Sequence, residues 1–260
     1  DERRTRALFA PSYFAVPAVL CCQNREGKMP SVEQYESAMR RALEISLNGP
    51  AVGINPQVGA VILDTTGAVV SEGWHKGAGS DHAEVMALEQ FAENFPGASL
   101  EHHTAVVTLE PCNHVGKTGP CALALVEAGV SRVVFASADP GDQSSQGSRT
   151  LKDAGIEVIP GVLLKQAEEQ NRVWLVSKRL GRPFVTLKWA STLDGRSAAA
   201  DGTSQWISGP ESRADTHSRR ANADSILVGT GTAIADDPEL TARRPDGSYF
   251  EDQPIRIVLG

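Results

Sequence analysis

Residues 82–84 read His-Ala-Glu, and residues 111–121 read Pro-Cys-Asn-His-Val-Gly-Lys-Thr-Gly-Pro-Cys. One imidazole and two thiolates form a donor set for zinc, and three protein ligands leave a fourth corner for water. Sulfur donors favour zinc over magnesium or calcium. If His82, Cys112 and Cys121 share one ion, segments distant along the chain must converge. Taken singly, each signal is weak. A cysteine is most often a small buried apolar residue, and a His-Ala-Glu tripeptide alone carries little information. Two Pro-Cys pairs framing a glycine-bearing loop make the combination specific. A structural zinc would want a fourth protein ligand, for which His75 and His114 are the candidates.

The surrounding pattern alternates helices and strands. Ser31 caps a helix over 31–48 with Glu33 in its first turn. Tyr35, Ala38, Met39, Ala42, Leu43, Ile45 and Leu47 recur there at helical spacing, and Asn48-Gly49-Pro50 ends it. Residues 58–63 and 68–71 read as a hairpin. Residues 82–93 read as a helix with Val85, Leu88, Phe91 and Ala92 on one side. Residues 104–109 and 132–137 read as strands, and 121–128 as a helix ended by Gly129. Such alternation implies a layered α/β domain with much parallel pairing. Cys112, just beyond the strand at 104–109, is expected where a helix begins, whose positive end favours thiolate over thiol. A second unit starts near 182. Residues 182–190 read as a strong strand, 204–209 as a loop, 210–220 as a helix, 223–232 as a strand running into a Gly/Thr turn, and 254–260 as a strand. The sequence stops on that apolar strand with no cap or polar tail, so the second unit is expected to be truncated.

The 260 residues allow one large or two modest domains. Lys and Arg number 25 against 32 Asp and Glu, a net charge of −7. That balance, without a basic and aromatic stripe, argues against a nucleic-acid partner. Four cysteines in a chain this long do not make a disulfide framework. A reducing, cytoplasmic setting with thiols free for metal is expected. Residues 1–30 are expected to be a disordered leader or upstream translated segment. Their apolar run at 14–22 is broken by Pro17 and too short to span a bilayer, and Met29 is a plausible start.

Glu84 follows His82 by two residues at the start of a helix, so it can reach the same cavity and shuttle protons without binding the metal. Zinc nucleobase deaminases use this arrangement. Their usual second half is Pro-Cys-x-x-Cys, whereas residues 113–120 separate the two cysteines here. A loop holding Lys117 and glycines over a metal site suits an anionic substituent, because Lys supplies charge and Gly permits close backbone approach.

The segments NPQVGAVI (55–62), GWHKGAG (73–79), HAE (82–84) and EPCNHVGKTGPC (110–121) closely resemble the bifunctional riboflavin-biosynthesis deaminase/reductase family. KWASTLDGRSA (188–198), DGTSQWISGPESR (201–213) and ADSILVGTGTAIADDPELTAR (223–243) resemble that family's reductase half. Gly119 departs from the family, which commonly has Pro there. The resemblance runs from about 31 to 260. It implies a cytidine-deaminase-like three-layer domain over 31–178, then the first part of a dihydrofolate-reductase-like α/β domain over 182–260. It further implies zinc-dependent deamination of a phosphoribosylamino-pyrimidine, reduction of its ribosyl group to ribityl with NADPH, and a homo-oligomer with no nucleic-acid or membrane partner.

Residue roles follow from the same resemblance. His82, Cys112 and Cys121 would hold Zn²⁺, and Glu84 would be the proton shuttle. Asn55, His75, His114 and Lys117 match deaminase substrate positions. From its residues alone, Asn55 reads first as a turn cap before Pro56, and His114 equally as a solvated loop residue. Ala190, Trp206, Thr232 and Asp236 match positions that contact NADPH. Ser204, Arg220, Leu240 and Arg243 match positions that contact the reductase substrate. Without the resemblance, both Arg read as solvated and Trp206 as core packing.

Overall fold

The computed structural model describes residues 30–114, 119–141 and 145–260. The expected leader and Lys117 lie outside those residues.

The first helix, α1 (Val32–Ser46), begins as its sequence requires. Gln34 N–H donates to Ser31 Oγ at 3.3 Å, and Ser31 N–H donates to Gln34 Oε1 at 2.8 Å. This reciprocal pairing satisfies two donors that a helix start otherwise leaves free. Tyr35, Ala38, Met39, Ala42, Leu43 and Ile45 are buried as their spacing predicts, while Leu47, just past the helix, is 59% exposed. A hairpin of β1 (Gly59–Leu63) and β2 (Val69–Trp74) follows, longer at its second strand than expected. Then come α2 (Ala83–Asn94), β3 (Thr104–Leu109), α3 (Cys121–Ala128) and β4 (Arg132–Ser137). The order β2-β1-β3-β4-β5, with β5 at Glu157–Pro160, makes one five-stranded sheet. Its β1 pairs are antiparallel, and β3-β4-β5 are parallel.

Every residue of β1, β3 and β4 is buried, which is why these strands read as unbroken apolar runs. The pleat then sorts them. Ala60, Ile62, Ala105, Val107 and Val133 pack with Ala87, Phe91 and Leu125 on one face. Val61, Leu63, Val106, Val134 and Ala136 pack with Met39, Ala42 and Ala167 on the other. Successive side chains point to opposite faces of a strand, so helices cover both sides and three layers result.

Four elements lie where the sequence reading assigns none: α4 (Gly147–Asp153), β5, α5 (Leu164–Gln170) and α6 (Arg172–Leu180). The buried stripe of α2 is Ala83, Glu84, Ala87 and Phe91. Ala92 is exposed, so the stripe sits one residue off the expected side, because it includes the buried Glu84. Gly73 of β2 lets α2 lie this close. A Cβ there would meet Ala83 O at 2.5 Å and Ala87 N at 2.6 Å.

Beyond 181 lie α7 (Pro210–Ala221), β6 (Ser225–Gly229), α8 (Thr230–Asp236) and β7 (Ile255–Leu259), with β6 and β7 parallel. Two expectations are corrected. Residues 182–190 form no strand: β6 and β7 pair with each other, and nothing ladders onto 182–190, where Val185, Leu187 and Trp189 are 75%, 77% and 70% exposed. A strand exists only through a partner's hydrogen bonds. The Gly/Thr turn after β6 is instead α8, for which Gly229 is the N-cap and Ala233 and Ala235 are good helix formers.

Candidate active site

The carboxyl ends of parallel strands are where an open α/β sheet presents its crevice. Here β3 ends at Leu109 and runs into Glu110-Pro111-Cys112, and β4 ends at Ser137, just before Asp139. Glu110 is buried, and its two oxygens accept from Asp139 N–H at 3.3 Å and Ser148 N–H at 3.0 Å. One carboxylate thereby ties the loop after β4, and the start of α4, to the cysteine-bearing turn.

His82 is the N-cap of α2, but its ring does not cap the helix. Its Nδ1 lies 3.1 Å from Cys121 Sγ and 3.5 Å from Cys112 Sγ, and the three donor atoms lie within 4.8 Å of one another. Tetrahedral zinc with ordinary bond lengths separates nitrogen from sulfur by about 3.6 Å, so the cluster is of the size the ion needs. Among the described residues it closes at three ligands. The expected fourth candidates are engaged or set apart: His75 is bonded elsewhere, and the His114 ring centroid is 6.4 Å from that of His82.

Cys112 is not at a helix start, contrary to expectation. Cys121 is, as the first residue of α3, and its backbone N–H points at Cys112 Sγ from 3.4 Å. The helix end thus acts on Cys112 from across the site. Without metal, the Cys121 thiol, His82 and this N–H stabilise the Cys112 thiolate and hold that thiol well below its usual range. Cys121 is pushed up by its bond to Cys112 and by burial. His82 is raised by its bond to Cys112. The pair therefore ionises once readily, and a divalent cation is the natural replacement for the remaining proton.

Glu84 is 4% exposed, and burial pushes its carboxyl up to about 7. Its charge is one of the influences that push the neighbouring Cys121 thiol up. A carboxyl that titrates near neutrality is matched to giving and taking protons.

The cavity around these groups has a volume of about 890 Å³. Asn55, His75 and His114 line it with His82, Cys112 and Glu84. His75 Nδ1 is 3.2 Å from the Asp81 carbonyl, and His75 Nε2 is 3.0 Å from Asn55 Nδ2. The Asp81 carbonyl can only accept, so Nδ1 carries the hydrogen and Nε2 accepts from the Asn55 amide. Burial holds the His75 pKa below its usual value, which keeps it in that neutral form. His114 Nδ1 is buried without a partner among the described residues. Sequence reading missed Glu110, Asp139, Trp174 and Lys178, all of which line the cavity. Trp174 and Lys178 sit on α6, where only the i,i+4 spacing of an aromatic and a cation was available as a signal.

The later residues are more dispersed. Trp206 is 70% exposed, with the Arg213 guanidinium 4.4 Å over its ring. Thr232 and Asp236 are exposed on α8, Ser204 is exposed, and Ala190 is half-buried. Arg220 donates to Thr241 O at 3.1 Å, and Arg243 pairs with Glu239 at 3.2 Å. Burial and the charge of Arg243 lower the Arg220 pKa, and Leu240 is buried at 7%. Among the described residues no helix is long and apolar enough to cross a membrane.

Residues 32–137 match the cytidine and deoxycytidylate deaminase zinc-binding region, and residues 183–260 match the RibD C-terminal domain. The chain therefore joins a zinc deaminase domain to a reductase-type α/β domain. RibD from Mycobacterium tuberculosis is 50% identical over 231 residues, covering 88% of this chain and 67% of that protein. RibD from Escherichia coli is 43% identical over 237 residues, covering 87% and 63%. The solved diaminohydroxyphosphoribosylaminopyrimidine deaminase/5-amino-6-(5-phosphoribosylamino)uracil reductase from Thermotoga maritima superposes with a TM-score of 0.79 at 39% identity. It covers 88% of this chain and 64% of that one. The chain belongs to the RibD family of riboflavin biosynthesis enzymes, and spans about two thirds of the length of these relatives.

Proposed function

We propose that the chain catalyses hydrolytic deamination of 2,5-diamino-6-(5-phosphoribosylamino)pyrimidin-4-one at the cavity between β3, β4 and α2. The observation that carries this is the convergence of His82, Cys112 and Cys121 beside a buried, unligated Glu84. Zinc, when bound, supplies a Lewis acid that makes water nucleophilic near neutral pH. His82, Cys112 and Cys121 would hold that ion. Glu84 takes the proton released as water attacks the amino-bearing ring carbon, then passes it to the departing nitrogen, which leaves as ammonia. Asn55, with its amide hydrogen committed to His75, turns its carbonyl oxygen to the ring edge as an acceptor. The buried His114 Nδ1 is a further polar contact for substrate. Lys117 and Lys178 supply positive charge for the phosphate. The domains follow as 31–178 for the deaminase and 182–260 for the reductase part, in a cytoplasmic homo-oligomer.

We further infer that the second unit takes part in NADPH reduction of 5-amino-6-(5-phosphoribosylamino)uracil to its ribityl form. Gly229 and Gly231 have no neighbouring atoms where a Cβ would stand, so the backbone after β6 is open to close approach. That suits a dinucleotide phosphate. Ala190, Trp206, Thr232 and Asp236 would hold NADPH, which supplies hydride when bound. Ser204, Leu240, Arg220 and Arg243 would hold the substrate and its phosphate.

Ammonia release from the phosphoribosylamino-pyrimidine, cytidine and tRNA tests the deaminase reading. Release from the first alone is expected. Equal or faster release from cytidine or tRNA would contradict it. NADPH oxidation with the deaminated substrate tests the second.

A further inference from the structure

We propose that Asn171 is a positioning residue for substrate reading, fixing from the junction of α5 and α6 the segment that carries Asn55. The inference rests on Asn55 contacting the pyrimidine, as proposed above.

Asn171 closes α5 and stands at the N-cap of α6. An Asn at an N-cap ordinarily turns its side chain onto its own helix, yet this one makes no cap bond. Its Oδ1 accepts from Gln57 N–H at 3.0 Å, and its Nδ2 donates to Gln57 O at 2.9 Å. One amide thus pairs with both backbone groups of a single residue, as a neighbouring strand would, across 114 positions of sequence. The side chain is 6% exposed, so neither bond competes freely with water.

Gln57 is two residues from Asn55, with the stiff Pro56 between them. The same segment is held at either side. One turn along α6, Trp174 Nε1–H donates to Ile54 O at 3.1 Å. His75 N–H donates to Val58 O at 3.0 Å, and Gln57 Nε2 donates to Gly49 O at 2.7 Å. The backbone on both sides of Asn55 is therefore hung from α6, while its amide is oriented by His75. Gly53 N–H also donates to Asp224 Oδ1 of the later unit at 2.8 Å. Asn171 is not one of the residues that line the cavity, so its effect on the substrate is expected to pass through Asn55.

A double-mutant cycle on the full chain separates positioning from plain structural support. Asn171→Ala is expected to raise KM for the phosphoribosylamino-pyrimidine about tenfold, with kcat changed less than about threefold and zinc still bound. In an Asn55→Ala background, the same change is expected to alter kcat/KM less than about twofold, because nothing remains to position. If Asn171→Ala does not fold, Asn171→Asp keeps the side-chain size and the acceptor for Gln57 N–H and loses the donor to Gln57 O. It is expected to raise KM about threefold, and again only when Asn55 is present. Equal losses in both backgrounds, a loss confined to kcat, or loss of zinc would overturn the proposal. Ammonia release by the unaltered chain reports separately on the proposed function, so an additive cycle on an active enzyme counts against Asn171 alone.

Discussion

Asn55 Nδ2 sits 3.0 Å from His75 Nε2, and the Asp81 carbonyl at the far side of that ring decides which atom donates. A backbone oxygen thereby sets a tautomer, the tautomer sets an amide, and the amide leaves its own oxygen free for a ligand. Asn55→Asp reverses the last link. A carboxylate offers no hydrogen to Nε2, so the imidazole must take a second proton and the free oxygen becomes charged. The expected result is a loss of about 10²-fold in kcat/KM with zinc retained, measured by ammonia release and metal analysis.

Glu84→Gln separates chemistry from folding. Turnover is expected to fall by 10²-fold or more, while zinc remains bound, since Glu84 is not a ligand. Stability of the metal-free chain should move the other way. The folded pKa of Glu84, about 7, lies above its ordinary 4.5. Between those values the folded state binds more protons than the unfolded state, so the wild type loses stability as pH rises. The penalty is absent below about pH 4.5 and complete above about 7, and amounts to about 3 kcal/mol. Denaturant unfolding of chelated protein should show Glu84→Gln gaining on wild type across that window. An unchanged difference from pH 5 to pH 8 would contradict the buried, protonated carboxyl.

Gly73→Ala tests the packing that aims α2. The new Cβ would meet backbone atoms of Ala83 and Ala87 well inside contact distance, and helix backbone does not yield as a flexible side chain does. The helix must shift, carrying His82 and Glu84 with it. A destabilisation of about 1–3 kcal/mol, together with weaker zinc binding in a metal competition assay, is the expected outcome.

Lys178 addresses the mouth of the cavity. Its neighbour Arg179 pairs with Glu168 at 2.7 Å, whereas Lys178 lies 6.0 Å over the Trp174 ring. Lys178→Glu should raise KM for the phosphorylated substrate by about tenfold at low salt, and by less at high salt, where such charges are screened. The kcat should hold within a factor of about two. Steady-state kinetics at two ionic strengths check both statements.

The cluster of His82, Cys112 and Cys121 beside Glu84 is legible because metal chemistry restricts residue types severely, and the central strands because burial on both faces forbids polar residues. The helix from Cys121 to Gly129 was legible at both ends for similar local reasons. Asn171 and Glu110 were not, since their roles depend on backbone partners brought near only by the fold. The 182–190 segment misled because its residues favour a strand, while strand formation needs a partner that composition cannot supply. The site of α8 was misread as a turn because Gly and Thr outweighed the alanines that follow.

Zinc titration of the metal-free chain, with ammonia release from the phosphoribosylamino-pyrimidine followed in parallel, tests the metal-centred mechanism most directly. Activity should rise linearly with added zinc and level off at one ion per chain, and Cys121→Ser should abolish both binding and release. Ammonia release that is complete without zinc, or undiminished in Cys121→Ser, would contradict it.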